Sequence, residues 1–238
     1  MPSAAEGARR PALIGLDGDD TLWESEVHFA DVHEVYRDVF TPFVGDGTDV
    51  DARLYATERR NLELFGYGAK GFILSMIETA IELSEGAVTS AEITRILALG
   101  KGLLSHPVEL IDGVADTVPT LAAAGYRLVL VTKGDLFHQE QKVAASGLAD
   151  HFEQVAIVSE KDERTYRRVL DGVGVEPEDF LMVGNTVRSD VLPVLAIGGR
   201  AVQVPHHVTW SHEVVESDVE FPVLSRLADL PGWLESLG

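Results

Sequence analysis

The sequence predicts an α/β protein: a parallel sheet covered by helices on both faces, with an all-helical insert after the first strand. Three observations carry this prediction. Five short apolar runs of strand length occur, and segments of helical periodicity separate them. A long helix-patterned stretch divides the first run from the other four. Finally, four of the five runs end in polar residues of the kind that chemistry uses.

The first run is Ala12 to Leu16, a short apolar segment followed at once by polar residues. From Glu24 to about Ser105 the pattern changes to helix. Phe29, Val32, Tyr36, Val39, Phe40 and Phe43 mark one amphipathic helix, and Ile73, Met76, Ile77 and Ala80 another. Thr89-Ser90-Ala91-Glu92 reads as a capping box ahead of Ile93, Ile96 and Leu97. The later runs are Arg127–Val131, Val155–Val158, Phe180–Val183 and Ala201–Val204, and Tyr166, Val169, Leu170 and Val173 give a helical face among them. Strands alternating with helices imply a parallel sheet buried on both faces. The expected division is a Rossmann-like core of residues 1–23 and 106–238, with a helical cap of residues 24–105 as a lid. The stretch Val223-Leu224, Leu227 and Leu230 reads as a C-terminal packing helix.

Composition narrows the function classes. The chain has 238 residues, 45% of them apolar, enough for a core with a smaller insert. No window approaches the length of an apolar membrane span. Met1 to Pro11 has no apolar segment of the secretory kind and reads as a frayed tail. With no cysteine there is neither a disulfide nor a thiolate metal site, which fits a cytosolic, cytoplasmic protein. A formal net charge of −20 argues against nucleic acid or an anionic membrane as a partner. An anionic substrate would need a metal ion or a few local cations.

The polar strand ends are Asp17-Gly18-Asp19-Asp20-Thr21, Thr132-Lys133-Gly134-Asp135, Ser159-Glu160-Lys161 and Gly184-Asn185-Thr186-Val187-Arg188-Ser189-Asp190. In open parallel sheets, ligands bind outside the carboxyl ends of the strands, so the four clusters should meet in one crevice. In an extended chain Asp17 and Asp19 face the same way, and two such carboxylates can divide nucleophilic and proton-transfer work. Taken alone, they would equally make a solvated acidic turn. Thr132 offers a hydroxyl donor, and Gly134 permits close backbone approach before a helix N-terminus suited to an anion. Lys161 stands at the opening of a helix, against the dipole, which points to an anionic partner. Asn185 and Asp190 offer oxygen ligands for a hard cation such as Mg2+.

In these residues the chain resembles the haloacid dehalogenase-like (HAD) hydrolase superfamily, and within it the phosphatases with a helical C1-type cap. Ile14 to Leu22, Leu128 to Gly134, Ser159 to Lys161 and Met182 to Asp190 look like its four motifs in order. The resemblance implies a magnesium-dependent phosphohydrolase that forms a phospho-aspartate on Asp17. It makes Asp17 the nucleophile and a metal ligand, and Asp19 the general acid/base with a metal-binding carbonyl. Thr132 and Lys161 would hold the phosphoryl group, and Asn185 and Asp190 would complete the metal site. The implied partner is a small phosphorylated metabolite; neither its identity nor an oligomeric state is implied. Two departures stand out. Asp20 occupies a position that is commonly Gly, where its carboxylate should alter the turn or face solvent. Asn185 replaces a common Asp, which should weaken magnesium binding.

Other features carry less. In Tyr67-Gly68-Ala69-Lys70-Gly71-Phe72, between cap helices, Lys70 is a candidate for substrate binding with Lys133 and Gly134. His206, His207 and His212 fit no standard zinc spacing. Trp23 reads as a packing or hinge residue. Within the same superfamily a dehalogenase or a phosphomutase is the alternative enzyme, but carbon–halogen cleavage needs no acid such as Asp19. A non-catalytic binding module is favoured only by Asn185.

Overall fold

The computed structural model describes residues 10–40, 43–44, 47–208, 210–215 and 217–237. The expected frayed tail falls largely on residues 1–9, outside the described ones. At its end the tail reading fails. Arg10 donates to the Ala124 carbonyl at 2.6 Å and stacks 4.1 Å over the Tyr126 ring, and Pro11 is buried.

In chain order the regular elements are β1 (Leu13–Leu16), α1 (Glu26–Phe40), α2 (Val50–Phe65), α3 (Ala69–Leu83), α4 (Ser90–Leu104), α5 (Val114–Ala123) and β2 (Arg127–Lys133). Then come α6 (Leu136–Ser146), β3 (Gln154–Val158), α7 (Glu163–Val173), β4 (Phe180–Gly184), α8 (Leu192–Ala196), β5 (Arg200–Gln203) and α9 (Leu230–Glu235). They form two compact units. One holds residues 1–24, 108–132 and 140–238; the other holds residues 25–107 and 133–139.

The first unit is built on a five-stranded parallel sheet, the Rossmann-like arrangement expected, in the order β3-β2-β1-β4-β5. Side chains alternate between its faces. Ile14, Leu16, Leu128, Leu130, Leu181 and Val183 pack with Val114, Val118 and Leu121 of α5 and Leu230 and Leu234 of α9. Leu13, Val129, Val131, Phe180 and Met182 pack on the other side with Tyr166, Val169 and Leu170 of α7. Each such side chain stabilises the fold by roughly 1.5–3 kcal/mol. Burial on both faces explains why these strands read as unbroken apolar runs. The strand order reverses at β1, whose Leu16 pairs with Leu130 on one side and Val183 on the other. Residues just past Leu16 and Val183 therefore leave the sheet side by side.

The second unit is helical. Val32, Tyr36, Val39 and Phe40 of α1 form its core with Val50 and Leu54 of α2, Phe72, Ile73 and Met76 of α3, and Ile96 and Leu103 of α4. The capping box before α4 is present; the Glu92 carboxylate accepts from Thr89 N at 2.8 Å and from the Thr89 hydroxyl. The helix α2 had no clear apolar stripe to reveal it, because it also buries Thr57, Glu58 and Asn61. Asn61 Nδ2 donates to Ser75 Oγ at 3.1 Å and Glu78 Oε2 at 2.8 Å, so part of this core is joined by hydrogen bonds.

The C-terminal packing helix begins later than the sequence suggests. Gln203 N donates to the Pro222 carbonyl and Leu224 N to the Gln203 carbonyl, so this segment runs extended beside β5 and its amides cannot enter a helix. Val223 is left exposed, and a 3-10 turn at Leu227–Asp229 leads into α9. Among the described residues no helix is long and apolar enough to cross a membrane.

Burial pushes the Glu58 carboxyl up from 4.5 to about 7. The folded chain thus holds that proton more tightly than the unfolded chain. Stability from this group is complete below pH 4.5 and is lost as pH rises through 7. Glu58→Gln should therefore stabilise the protein by about 2–3 kcal/mol at pH 8 and by little at pH 4.5, read by urea denaturation. An equal effect at both pH values would mean that Glu58 is ionised in the fold.

Candidate active site

The site begins where β1 ends. Asp17 N donates to the Val183 carbonyl at 3.0 Å, which extends the ladder by one residue and fixes Asp17 beside Gly184. The chain then turns tightly, with Leu22 N donating to Gly18 O and Asp20 N to Trp23 O, both at 2.8 Å. Gly18 is required here, because a Cβ would lie 2.7 Å from the Trp23 ring and 3.1 Å from Thr132 Oγ1. Trp23, packed as expected, has a further contact that its sequence position did not announce: Nε1 donates to Asp19 Oδ1 at 2.6 Å. Lys142 Nζ reaches the same oxygen at 2.7 Å. Asp20 corrects one expectation. It does not face solvent but is buried, and it occupies the left-handed region at φ 59°, a backbone state that a short polar side chain tolerates.

Lys161 is the centre of charge. Its Nζ lies 2.5 Å from Asp17 Oδ1 and 2.7 Å from Asp190 Oδ1, and its side chain is 2% exposed. It does not open α7, as the sequence suggested. Asp162 is the N-cap, accepting from Thr165 N at 2.7 Å, so a carboxylate meets the dipole and Lys161 turns inward one residue earlier.

Asp190 sits in a π-helical turn, Val187–Val191. Its Oδ2 accepts from Thr186 N and Thr186 Oγ1, each at 3.0 Å. Gly184 makes room for it, because a Cβ there would collide with the Asp190 carboxyl group. The turn is anchored from below. Tyr166 Oη donates to the Ser189 carbonyl at 2.9 Å, and Ser189 Oγ to Glu213 Oε2 at 2.6 Å. Asn185 is 6% exposed and its Oδ1 has no hydrogen-bond partner.

Burial pushes the Asp17 carboxyl up to about 7, the neighbouring Asp190 adds to this, and Lys161 opposes it. Burial also works against the Lys161 charge, but Asp17 and Asp190 outweigh it and hold the ammonium above its usual range. The two directions agree physically: one ammonium faces two buried carboxylates, leaving a deficit of positive charge. Together with the orphaned Asn185 oxygen, that deficit fits a cation at this end of the sheet.

Of the three histidines that fit no zinc spacing, His206 joins two carboxylates instead. His206 Nε2 lies 2.9 Å from Glu24 Oε2, and His206 Nδ1 lies 3.6 Å from Asp20 Oδ1. Asp20, Glu24 and His206 offer ligand atoms within 4.8 Å of one another and could hold a metal ion. His207 lies against His206 with the rings tilted by 50°, while His212 packs against Trp210.

The remaining residues of interest belong to the helical unit. Lys70 Nζ pairs with Asp135 Oδ1 at 2.8 Å, and Lys133 Nζ lies 4.2 Å over the Tyr67 ring. Gly134 has φ 145° and is followed by Asp135, whose carboxylate caps α6 by accepting from His138 N at 3.0 Å.

Comparison with known proteins places this sheet and its acidic strand ends in a hydrolase family. The family model for haloacid dehalogenase-like hydrolases matches residues 11–198, and the chain belongs to that family. A solved haloacid dehalogenase-like family hydrolase from Xanthomonas campestris is 43% identical with a TM-score of 0.84, covering 100% of this chain and 96% of that one. The phosphoserine phosphatase of Thermus thermophilus is 38% identical over 34% of each chain. The glyceraldehyde 3-phosphate phosphatase of Pyrococcus furiosus is 26% identical over 53% of this chain and 54% of its own. The chain thus spans about half or less of those two relatives. The family is one of hydrolases, and the curated relatives matched over part of the chain are phosphatases.

Removing Lys161 should expose the cost of this arrangement. Lys161→Met leaves two buried carboxylates facing each other and is expected to destabilise the protein by roughly 3–5 kcal/mol in urea denaturation. Adding Asp190→Asn should restore part of that loss; strict additivity would show that the two groups are not coupled.

Proposed function

We propose that the protein is a magnesium-dependent phosphatase for a small phosphorylated metabolite, working through a phospho-aspartate on Asp17. The observation that carries this is the Lys161 ammonium bridging Asp17 and Asp190, with a buried, unpartnered Asn185 oxygen at the end of β4. Asp17, the backbone carbonyl of Asp19, and Asn185 would hold the metal, with Asp190 completing the site behind them. When bound, magnesium would neutralise charge between the phosphoryl oxygens and Asp17. The unpartnered Oδ1 of Asn185 favours that residue as the direct ligand. Asp190, with one oxygen on Lys161 and the other on Thr186, orients the site.

The chemistry runs in two steps. An Asp17 oxygen attacks phosphorus, the bond from phosphorus to the leaving oxygen breaks, and Asp19 gives that oxygen its proton. Water then attacks the phospho-aspartate and returns a proton to Asp19, releasing phosphate and free Asp17. Thr132 and Lys161 hold the transferring group, and the backbone at Lys133 and Gly134 approaches it. The helical insert, which leaves the chain directly after the Asp19 turn, serves as the cap that limits water and selects the substrate.

Purified protein should release phosphate from p-nitrophenyl phosphate with added magnesium, lose this with a chelator, and lose it in Asp17→Asn. Turnover that survives the substitution or the chelator would overturn the mechanism. Asn185→Asp should remain active and need about 3- to 10-fold less magnesium for half-maximal rate, because a carboxylate binds this cation better than an amide. Inactivity of that variant would show that the amide itself is required.

A further inference from the structure

We infer that Lys142 and Trp23 are positioning residues for Asp19, and that they fix which of its two oxygens carries the proton. This rests on the reading of Asp19 as the acid/base. Trp23 Nε1 and Lys142 Nζ reach one and the same oxygen, Asp19 Oδ1, at 2.6 and 2.7 Å. An indole N–H and an ammonium only donate, so Oδ1 is confined to accepting. A proton placed on Oδ1 would face both donors; the acid form therefore carries its proton on Oδ2. The step proposed above needs that regularity, since one oxygen must hand a proton to the leaving group and then take one from water.

The two donors come from independent parts of the fold. Trp23 closes the turn after β1, is 1% exposed, and is seated against Gly18 at a distance that a Cβ would forbid. Lys142 stands near the end of α6, with only 13% of its side chain exposed, and it crosses to a residue far away in sequence. A partly exposed ion pair of this kind adds little stability, so its removal should leave the protein folded. What it supplies is orientation.

Leaving-group dependence separates orientation from mere structure. Dinitrophenolate departs without an acid, whereas phenolate needs one. With magnesium present, Lys142→Met should lose about 10- to 100-fold in kcat/KM, which reports the leaving-group step and not the shared hydrolysis step, on phenyl phosphate and less than about threefold on 2,4-dinitrophenyl phosphate, within the range a general acid contributes. Lys142→Arg should recover most of the phenyl phosphate rate, and Trp23→Phe should show the same selective loss. Asp19→Asn, run alongside, should show the same selectivity with a larger loss. If Asp19→Asn is selective and Lys142→Met loses equally on both substrates or on neither, the positioning inference is overturned. If Asp19→Asn itself shows no selectivity, the acid/base reading fails and the inference falls with it.

Discussion

The structure turns on one buried ammonium. Lys161 lies between Asp17 and Asp190, and three separate strand ends exist in register to make that possible. Leu16 pairs with Val183, so Asp17 and Gly184 leave the sheet side by side. The absence of a side chain on Gly184 lets the Asp190 carboxyl group occupy the space beside it. Asp162 takes the cap of α7, which frees Lys161 from the helix and turns it inward. An ion cluster of this kind is poor value for stability, because desolvation offsets much of the attraction. Its persistence against that cost is a physical sign of function. It also explains why the polar neighbours are so fully engaged: Thr186, Tyr166, Ser189 and Glu213 hold the Asp190 turn where thermal motion would otherwise separate the charges.

Much of this was legible in the sequence, for a specific reason. Strands buried on both faces must be apolar throughout, and their ends must switch abruptly to polar residues where the crevice opens. Those two rules locate Asp17, Thr132, Lys161 and the Asn185 to Asp190 segment without any knowledge of packing. The apolar helices α1, α3 and α4 were legible in the same way, through their stripes. The helix α2 was not, because its buried face mixes Leu54 with Thr57, Glu58 and Asn61, and the hydrogen bonds that make such a face tolerable are visible only in three dimensions.

What the sequence concealed were contacts between residues distant along the chain. Lys142 is one cation on a helix whose pattern gives it no distinction, and Glu213 lies after the last strand with no motif around it. Asp20 is the most instructive case. A carboxylate in place of a glycine reads as an altered turn or a solvent-facing side chain, yet it takes the left-handed backbone state at φ 59° and lies buried near His206 and Glu24. An aspartate can meet the backbone demand, since its short polar side chain lowers the penalty of positive φ. The demand of the turn was thus readable, and the destination of its side chain was not.

The neutral Asn185 fits the same balance of charge. Asp17 is already driven toward its protonated form by burial and by Asp190, with one ammonium between them. A third carboxylate at position 185 would deepen that repulsion whenever no cation is bound, raising Asp17 further. The amide keeps an oxygen for a cation without adding to the repulsion. Its unpartnered Oδ1 is the residual cost, since a buried acceptor left unpaired is itself unfavourable. On the proposed magnesium chemistry, the site accepts weaker attraction for the metal in exchange for a metal-free state that its single lysine can hold together.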